Sequence, residues 1–136
     1  MKDNEKSEGS GRRDLAVRTK QYALRSINVF SALPRKPEAR VLGKQFLRAA
    51  TSVGAHYREA RRAKSDADFI SKVEGALQEL DEAAYWLELL SEGEVFPSKR
   101  LAPLLIETDE LIAILVTVVK KAKGYRNGED RWEDKT

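Results

Sequence analysis

Leu42, Phe46, Ala49, Val53, Tyr57 and Ala60 follow one another at steps of four or three residues. That spacing lines one face of an α-helix but would scatter the same side chains over both faces of a strand, so it points to a helix. An apolar stripe of this kind has to be covered by other elements. Three further stretches can cover it. Ala16, Ala23, Ile27 and Phe30, flanked by Val17 and Leu24, form the stripe of a first helix expected over about residues 13–32, ended by Pro34 and Pro37. Pro37 can open the second helix, expected over about 38–63. Ser65 reads as the N-cap of a third helix with Asp68 at the acidic third position, and Gly93 as its stop signal. The stripe between them is Ile70, Val73, Leu77, Leu80, Ala84 and Leu87. A fourth helix is expected to start between Ser98 and Pro103 and to end near Lys123, where Lys120, Lys121 and Lys123 suit the negative end of the helix dipole. No stretch alternates with period two long enough for a sheet. The expected fold is all-α, an antiparallel up-down-up-down four-helix bundle over residues 12–124. The polar, glycine-punctuated segments 1–11 and 125–136 read as a disordered and a mobile tail.

The chain carries more apolar surface than one bundle of four helices needs. Leu104, Leu111, Leu115 and Val118 share one face of the fourth helix, while Ile106, Ala113 and Ile114 point away from it. Tyr85 and Leu89 stand opposite the stripe of the third helix, with Trp86 between the two faces. Gly43, Ala50 and Gly54 line a flank of the second helix beside Leu47, where another helix could come close. The surplus predicts self-association through Leu47, Tyr85, Leu89, Ile106 and Ile114.

Charge is divided along the chain. Residues 1–64 carry +10 and residues 65–136 carry −7, which together make the net +3. Such a division fits a polyanionic partner, head-to-tail pairing between copies, or pairing of basic with acidic helices inside one bundle. The basic half includes a stripe. Arg40, Lys44, Arg48, Arg58 and Arg62 fall in one arc of the second helix opposite its apolar face, with Arg61 and Lys64 extending its end. Long cations on a helix surface suit the phosphates of RNA or DNA, and no interleaved aromatics stand ready to stack on bases. The same arc could equally be a solvated face or pair with the acidic third helix.

Several functions are argued against. There is no cysteine, which removes disulfides, thiolate metal sites and cysteine nucleophiles and suits a reducing cytoplasm. The longest apolar run, Leu111 to Val119 broken by Thr117, is shorter than the roughly 20 residues a membrane helix needs. The opening residues have no apolar core of a signal peptide. The single histidine, His56, lies near Ser52 and Glu59, and these three read as a structural polar network rather than an acid–base site. Helical di-iron sites need paired Glu-x-x-His motifs, which are absent. Ser98 and Lys99 have no glycine-rich loop to make a phosphate cradle. No catalytic residue, metal or cofactor is expected.

The segment SVGAHYREARRAKSDADFISKVEGALQELDEAAYWLELL, Ser52 to Leu90, resembles a known family. These are the small four-helix bundle proteins encoded within intervening sequences of bacterial 23S ribosomal RNA genes, themselves similar to the accessory variability determinant of diversity-generating retroelements. The resemblance extends over about residues 14–123. It is carried by Ser52-Val53-Gly54-Ala55-His56-Tyr57-Arg58-Glu59 and continues through Ser65, Asp68-Phe69, Lys72 and Glu79 to Trp86. His56 stands where the family usually has Asn, and Ala60 where many members have Gly. The resemblance implies a bacterial, non-enzymatic protein assembling as a homopentamer, with relatives of basic surface binding nucleic acid. Two functions follow. One is a homo-oligomeric scaffold that holds RNA or DNA through Arg40, Lys44, Arg48, Arg58, Arg61 and Arg62. The other is an adaptor for a protein partner, such as a reverse transcriptase, without nucleic-acid binding.

Overall fold

The computed structural model describes residues 2–126, with side chains described from Asp14 to Gly124. Four helices follow one another: α1 (Lys2–Ala32), α2 (Pro37–Arg61), α3 (Asp66–Glu92) and α4 (Ser98–Arg126). Helical backbone continues through residues 2–13, into the segment expected as a disordered tail; among the described side chains of α1, Leu15 is the first packed on the core. Of the expected C-terminal tail, residues 127–136 lie outside the described residues.

Local chemistry sets most of the ends. Pro37 sits in the first turn of α2, where its missing N–H costs nothing. The Ser65 hydroxyl accepts the Asp68 N–H at 3.0 Å, and Asp66 and Asp68 add negative charge at the positive end of α3. Gly93 caps α3, but at φ −78° it is not left-handed; that conformation falls on Glu94, at φ 59°. Pro103 lies inside α4 rather than at its start, five residues after Ser98 and facing solvent.

Consecutive helices run in opposite directions. Thr19 of α1 meets Gly54 of α2, whereas Phe30, further along α1, meets Gly43, further back in α2. Arg48 of α2 reaches Glu82 of α3, whereas His56 reaches back to Glu79 and Gly75. The core is a single cluster centred on Phe46, Val53, Tyr57, Val73, Leu80, Leu87, Leu111 and Leu115. Each of the fully covered side chains contributes roughly 1.5–3 kcal/mol against exposure. The stripes of α2 and α3 are buried along most of the expected positions; Leu42, Leu77 and Ala84 are half-buried, and Ala76, Ala83 and Leu90 join the α3 interior.

α1 departs from its expected face. The residues it turns inward are Leu15, Thr19, Tyr22, Ser26 and Val29, about 90° around the helix from the apolar stripe read in the sequence. Ile27, Val17 and Leu24 are left exposed, at 42%, 55% and 48%. The polar residues lie inward at little cost because each satisfies itself. Thr19 donates to Leu15 O at 2.8 Å and Ser26 to Tyr22 O at 2.8 Å. The small-residue flank of α2 is what draws α1 into this orientation. A Cβ on Gly43 would lie 2.6 Å from Leu33 Cδ1, and one on Gly54 would lie 3.4 Å from Thr19 Oγ1. The helix expected to come close on the Gly43, Ala50 and Gly54 flank is thus the chain's own α1, which meets it at Gly43 and Gly54.

α1 and α4 touch less than the other neighbours, and polar side chains join them. Arg18 grips Glu107 through two bonds, Nε–Oε2 at 2.7 Å and Nη2–Oε1 at 2.9 Å, and Glu110 at 2.6 Å. The Arg18 hydrogen bond holds the Glu107 carboxyl below the usual carboxylate range, and Glu107 in turn raises the Arg18 guanidinium above its own.

Candidate functional site

All six cations assigned to the basic stripe are exposed. The tertiary structure divides them. Arg48 is turned onto α3, with Nη2 2.7 Å from Glu82 Oε1 and Nη1 3.5 Å from Glu79 Oε1. Its charge is compensated within the molecule, by the pairing with the acidic third helix that the sequence left open. Arg40, Lys44, Arg58, Arg61 and Arg62 make no ion pair among the described residues. Arg40 and Lys44 lie toward the start of α2, whereas Arg58, Arg61 and Arg62 gather at its other end.

These last three edge a groove of about 650 Å³ between α1 and α2. α1 contributes a fourth cation, Lys20, which also has no acidic partner among the described residues. Among the described residues Glu59 is the one carboxylate in the lining. The rest of the lining is mostly small, Ala16, Ala23, Gly54 and Ala55 with Thr19 and Thr51, beside the buried Tyr57. The close approach of α1 at Gly54 brings Lys20 to the groove, so a site on two helices replaces the one-helix stripe. Arg58 and Arg61 stand in the last turn of α2, where positive charge also offsets the helix dipole. Lys20 was not singled out in the sequence, because a groove residue is recognisable only once the pairing of α1 with α2 is fixed.

The expected polar network is regrouped. Ser52 bonds backward to Arg48 O at 2.7 Å, satisfying itself along the helix. His56 leans on α3, with Nε2 3.7 Å from Glu79 Oε2, over Gly75, where a Cβ would come within 3.2 Å of Nδ1. Glu79 therefore stands between Arg48 and His56. Glu59 is not part of this cluster; it is exposed and has no hydrogen bond or ion pair among the described residues. The partner of His56 lies on the neighbouring helix, where sequence spacing along α2 could not find it. No group of three or more potential metal ligands occurs among the described residues.

The residues assigned to self-association fall into two groups. Tyr85 and Ile106 are exposed, at 53% and 58%, while Leu47, Leu89 and Ile114 are half-buried within the fold. Val17, Leu24 and Ile27 of α1 and Val41 of α2, at 61%, add apolar surface the sequence reading had placed elsewhere or passed over. Tyr85 packs edge-on to Trp86, ring centroids 5.2 Å apart, in a shallow cleft of about 360 Å³ that also includes Asp81, Glu82 and Glu88. Among the described residues no helix is long and apolar enough to cross a membrane.

Residues 13–117 match the family model described as 23S rRNA-intervening sequence protein. A crystal structure from Bacteroides thetaiotaomicron, described as a protein with unknown function from the S23 ribosomal protein family, is similar at 35% identity and a TM-score of 0.73. The similarity covers 77% of this chain and 97% of that one. No curated protein matches the chain.

Proposed function

The chain belongs to the 23S rRNA-intervening sequence protein family, and on that footing we propose that it is a non-enzymatic helical scaffold that binds the phosphate backbone of RNA or DNA in the groove between α1 and α2. One observation carries this reading: Lys20, Arg58, Arg61 and Arg62 converge on a single groove without ion pairs among the described residues, in a molecule whose Arg18 and Arg48 each find carboxylates. Uncompensated cations held close repel one another, and a bound polyanion relieves that repulsion while releasing its counterions. The groove offers small side chains and cations but no array of base-edge partners, which favours phosphate contact over sequence readout.

Self-association is the second element. Tyr85, Ile106, Val17, Leu24 and Val41 are exposed on several helices, which supports a homo-oligomer. The family resemblance supplies the preference for a pentamer. Repeated grooves around an assembly would add avidity to a weak protomer site.

Fluorescence anisotropy with labelled single-stranded RNA and duplex DNA at two salt concentrations tests the reading. Affinity should fall steeply with salt, by a log–log slope of about 0.9 per phosphate contact for duplex DNA and about 0.7 for single strands. Absence of binding at low salt would overturn it. The adaptor reading would then lead, with the acidic cleft at Asp81, Glu82, Tyr85, Trp86 and Glu88 as its docking surface.

A further inference from the structure

Ten residues follow Arg126, the last described position. We propose that this segment, 127–136, docks in the α1–α2 groove and competes there with nucleic acid. The proposal rests on the reading of the groove as a phosphate site and adds an internal ligand for it.

The fold delivers the segment to the right place. α2 and α4 run the same way, so α4 ends where α2 ends. Ala122 of α4 lines one hollow together with Ala60, Arg61 and Lys64 of the α2 end. The chain passes Arg126 four residues later. Ten extended residues span roughly 33–36 Å. The α2 wall of the groove, Thr51 to Arg62, is about 17 Å of helix, so the segment reaches it with length to spare.

The chemistry is complementary. The segment reads Asn127-Gly128-Glu129-Asp130-Arg131-Trp132-Glu133-Asp134-Lys135-Thr136. Two carboxylate pairs flank one indole and outnumber Arg131 and Lys135, while the described lining of the groove holds four cations against the single carboxylate of Glu59. Carboxylates can take the positions of phosphates and Trp132 that of a base lying on the small side chains of the lining. The segment is also outside the part of the chain that defines the family: the family match ends at residue 117, and the Bacteroides chain is nearly all covered by 77% of this one. All four helices lie before residue 127. Tethering raises the local concentration of such a segment to the millimolar range, so even a weak docking contact suppresses an external ligand.

Two measurements test the proposal. The first needs no nucleic acid. In the Trp86→Phe protein Trp132 is the remaining tryptophan of the two. Its emission should be blue-shifted and protected from acrylamide, and Arg58→Glu with Arg62→Glu, or high salt, should expose it. Equal quenching with and without the charge reversal overturns the docking. If Trp86→Phe disturbs the bundle, a dye on Thr136→Cys, the one cysteine in a chain that has none, gives the same comparison by anisotropy. The second measurement compares the full chain with one ending at Arg126 against a labelled single-stranded RNA. The shortened chain should bind about threefold or more tightly; equal or weaker binding overturns the competition. Should neither chain bind RNA, the phosphate reading and the competition fall together, while exposure of the segment still decides the docking.

Discussion

Tyr22 of α1 and Thr108 of α4 share a 2.6 Å hydrogen bond in the sealed interior, both side chains fully buried. Thr108 gives its own proton to Leu104 O at 2.7 Å, so Tyr22 is the donor. This bond lies on the helix pair with the least contact between its members, which makes it a sensitive point of the fold. Tyr22→Phe should lower stability by about 1 kcal/mol, and Tyr22→Ala by roughly 3–5 kcal/mol, measured by chemical denaturation.

The same tyrosine predicts an alkaline limit. Burial pushes its pKa from 10.0 up to about 12. A group raised in the folded state adds stability that is whole below the unfolded value and is lost as pH rises toward the folded one. Melting temperature should therefore fall between pH 10 and 12, and the fall should be shallower in Tyr22→Phe. Equal alkaline slopes would remove Tyr22 from the account.

Glu107 sets an acid counterpart. The Arg18 hydrogen bond lowers its pKa from the ordinary 4.5, so its contribution is present above that value and disappears as pH falls below it. Glu107→Gln should cost on the order of 1 kcal/mol at neutral pH and reduce the loss of stability on acidification, followed by circular dichroism.

Arg48 and Arg58 belong to the same sequence stripe but should behave differently. Arg58→Glu with Arg62→Glu should abolish nucleic-acid binding and leave helicity unchanged. Arg48→Ala should leave binding nearly unchanged and lower stability by less than about 1 kcal/mol, because Arg48 and its nearer partner Glu82 both lie partly in solvent. Loss of binding in Arg48→Ala would restore the undivided stripe.

Glu59 and Glu79 offer a similar contrast. Glu59→Ala should stay within about 0.5 kcal/mol of the wild type. Glu79→Ala removes the carboxylate standing between Arg48 and His56 and should cost about 1–3 kcal/mol. For assembly, Ile106→Glu should lower the sedimentation coefficient without loss of helicity, since Ile106 is exposed in the protomer; unchanged sedimentation would place the contact elsewhere.

The sequence by itself determined the number of helices, their breaks and the faces of α2 and α3. Those faces are repetitive: Phe46, Val53 and Tyr57, or Ile70, Val73 and Leu80, bury apolar area at helical period, and area is additive along one helix. Ser65 at the start of α3 is equally local, its cap formed within three residues. The orientation of α1 was decided only by the tertiary structure. Thr19 and Ser26 become buriable once their hydroxyls bond back to the same helix, and Tyr22 finds its acceptor 86 residues away. The candidate site was decided at the same level. Arg58, Arg61 and Arg62 could be read from α2, but which cations remain uncompensated depends on where α3 places Glu79 and Glu82, and the fourth cation, Lys20, depends on Gly54 letting α1 approach. Charge compensation and groove shape are properties of pairs of helices, and a periodic pattern describes one helix at a time.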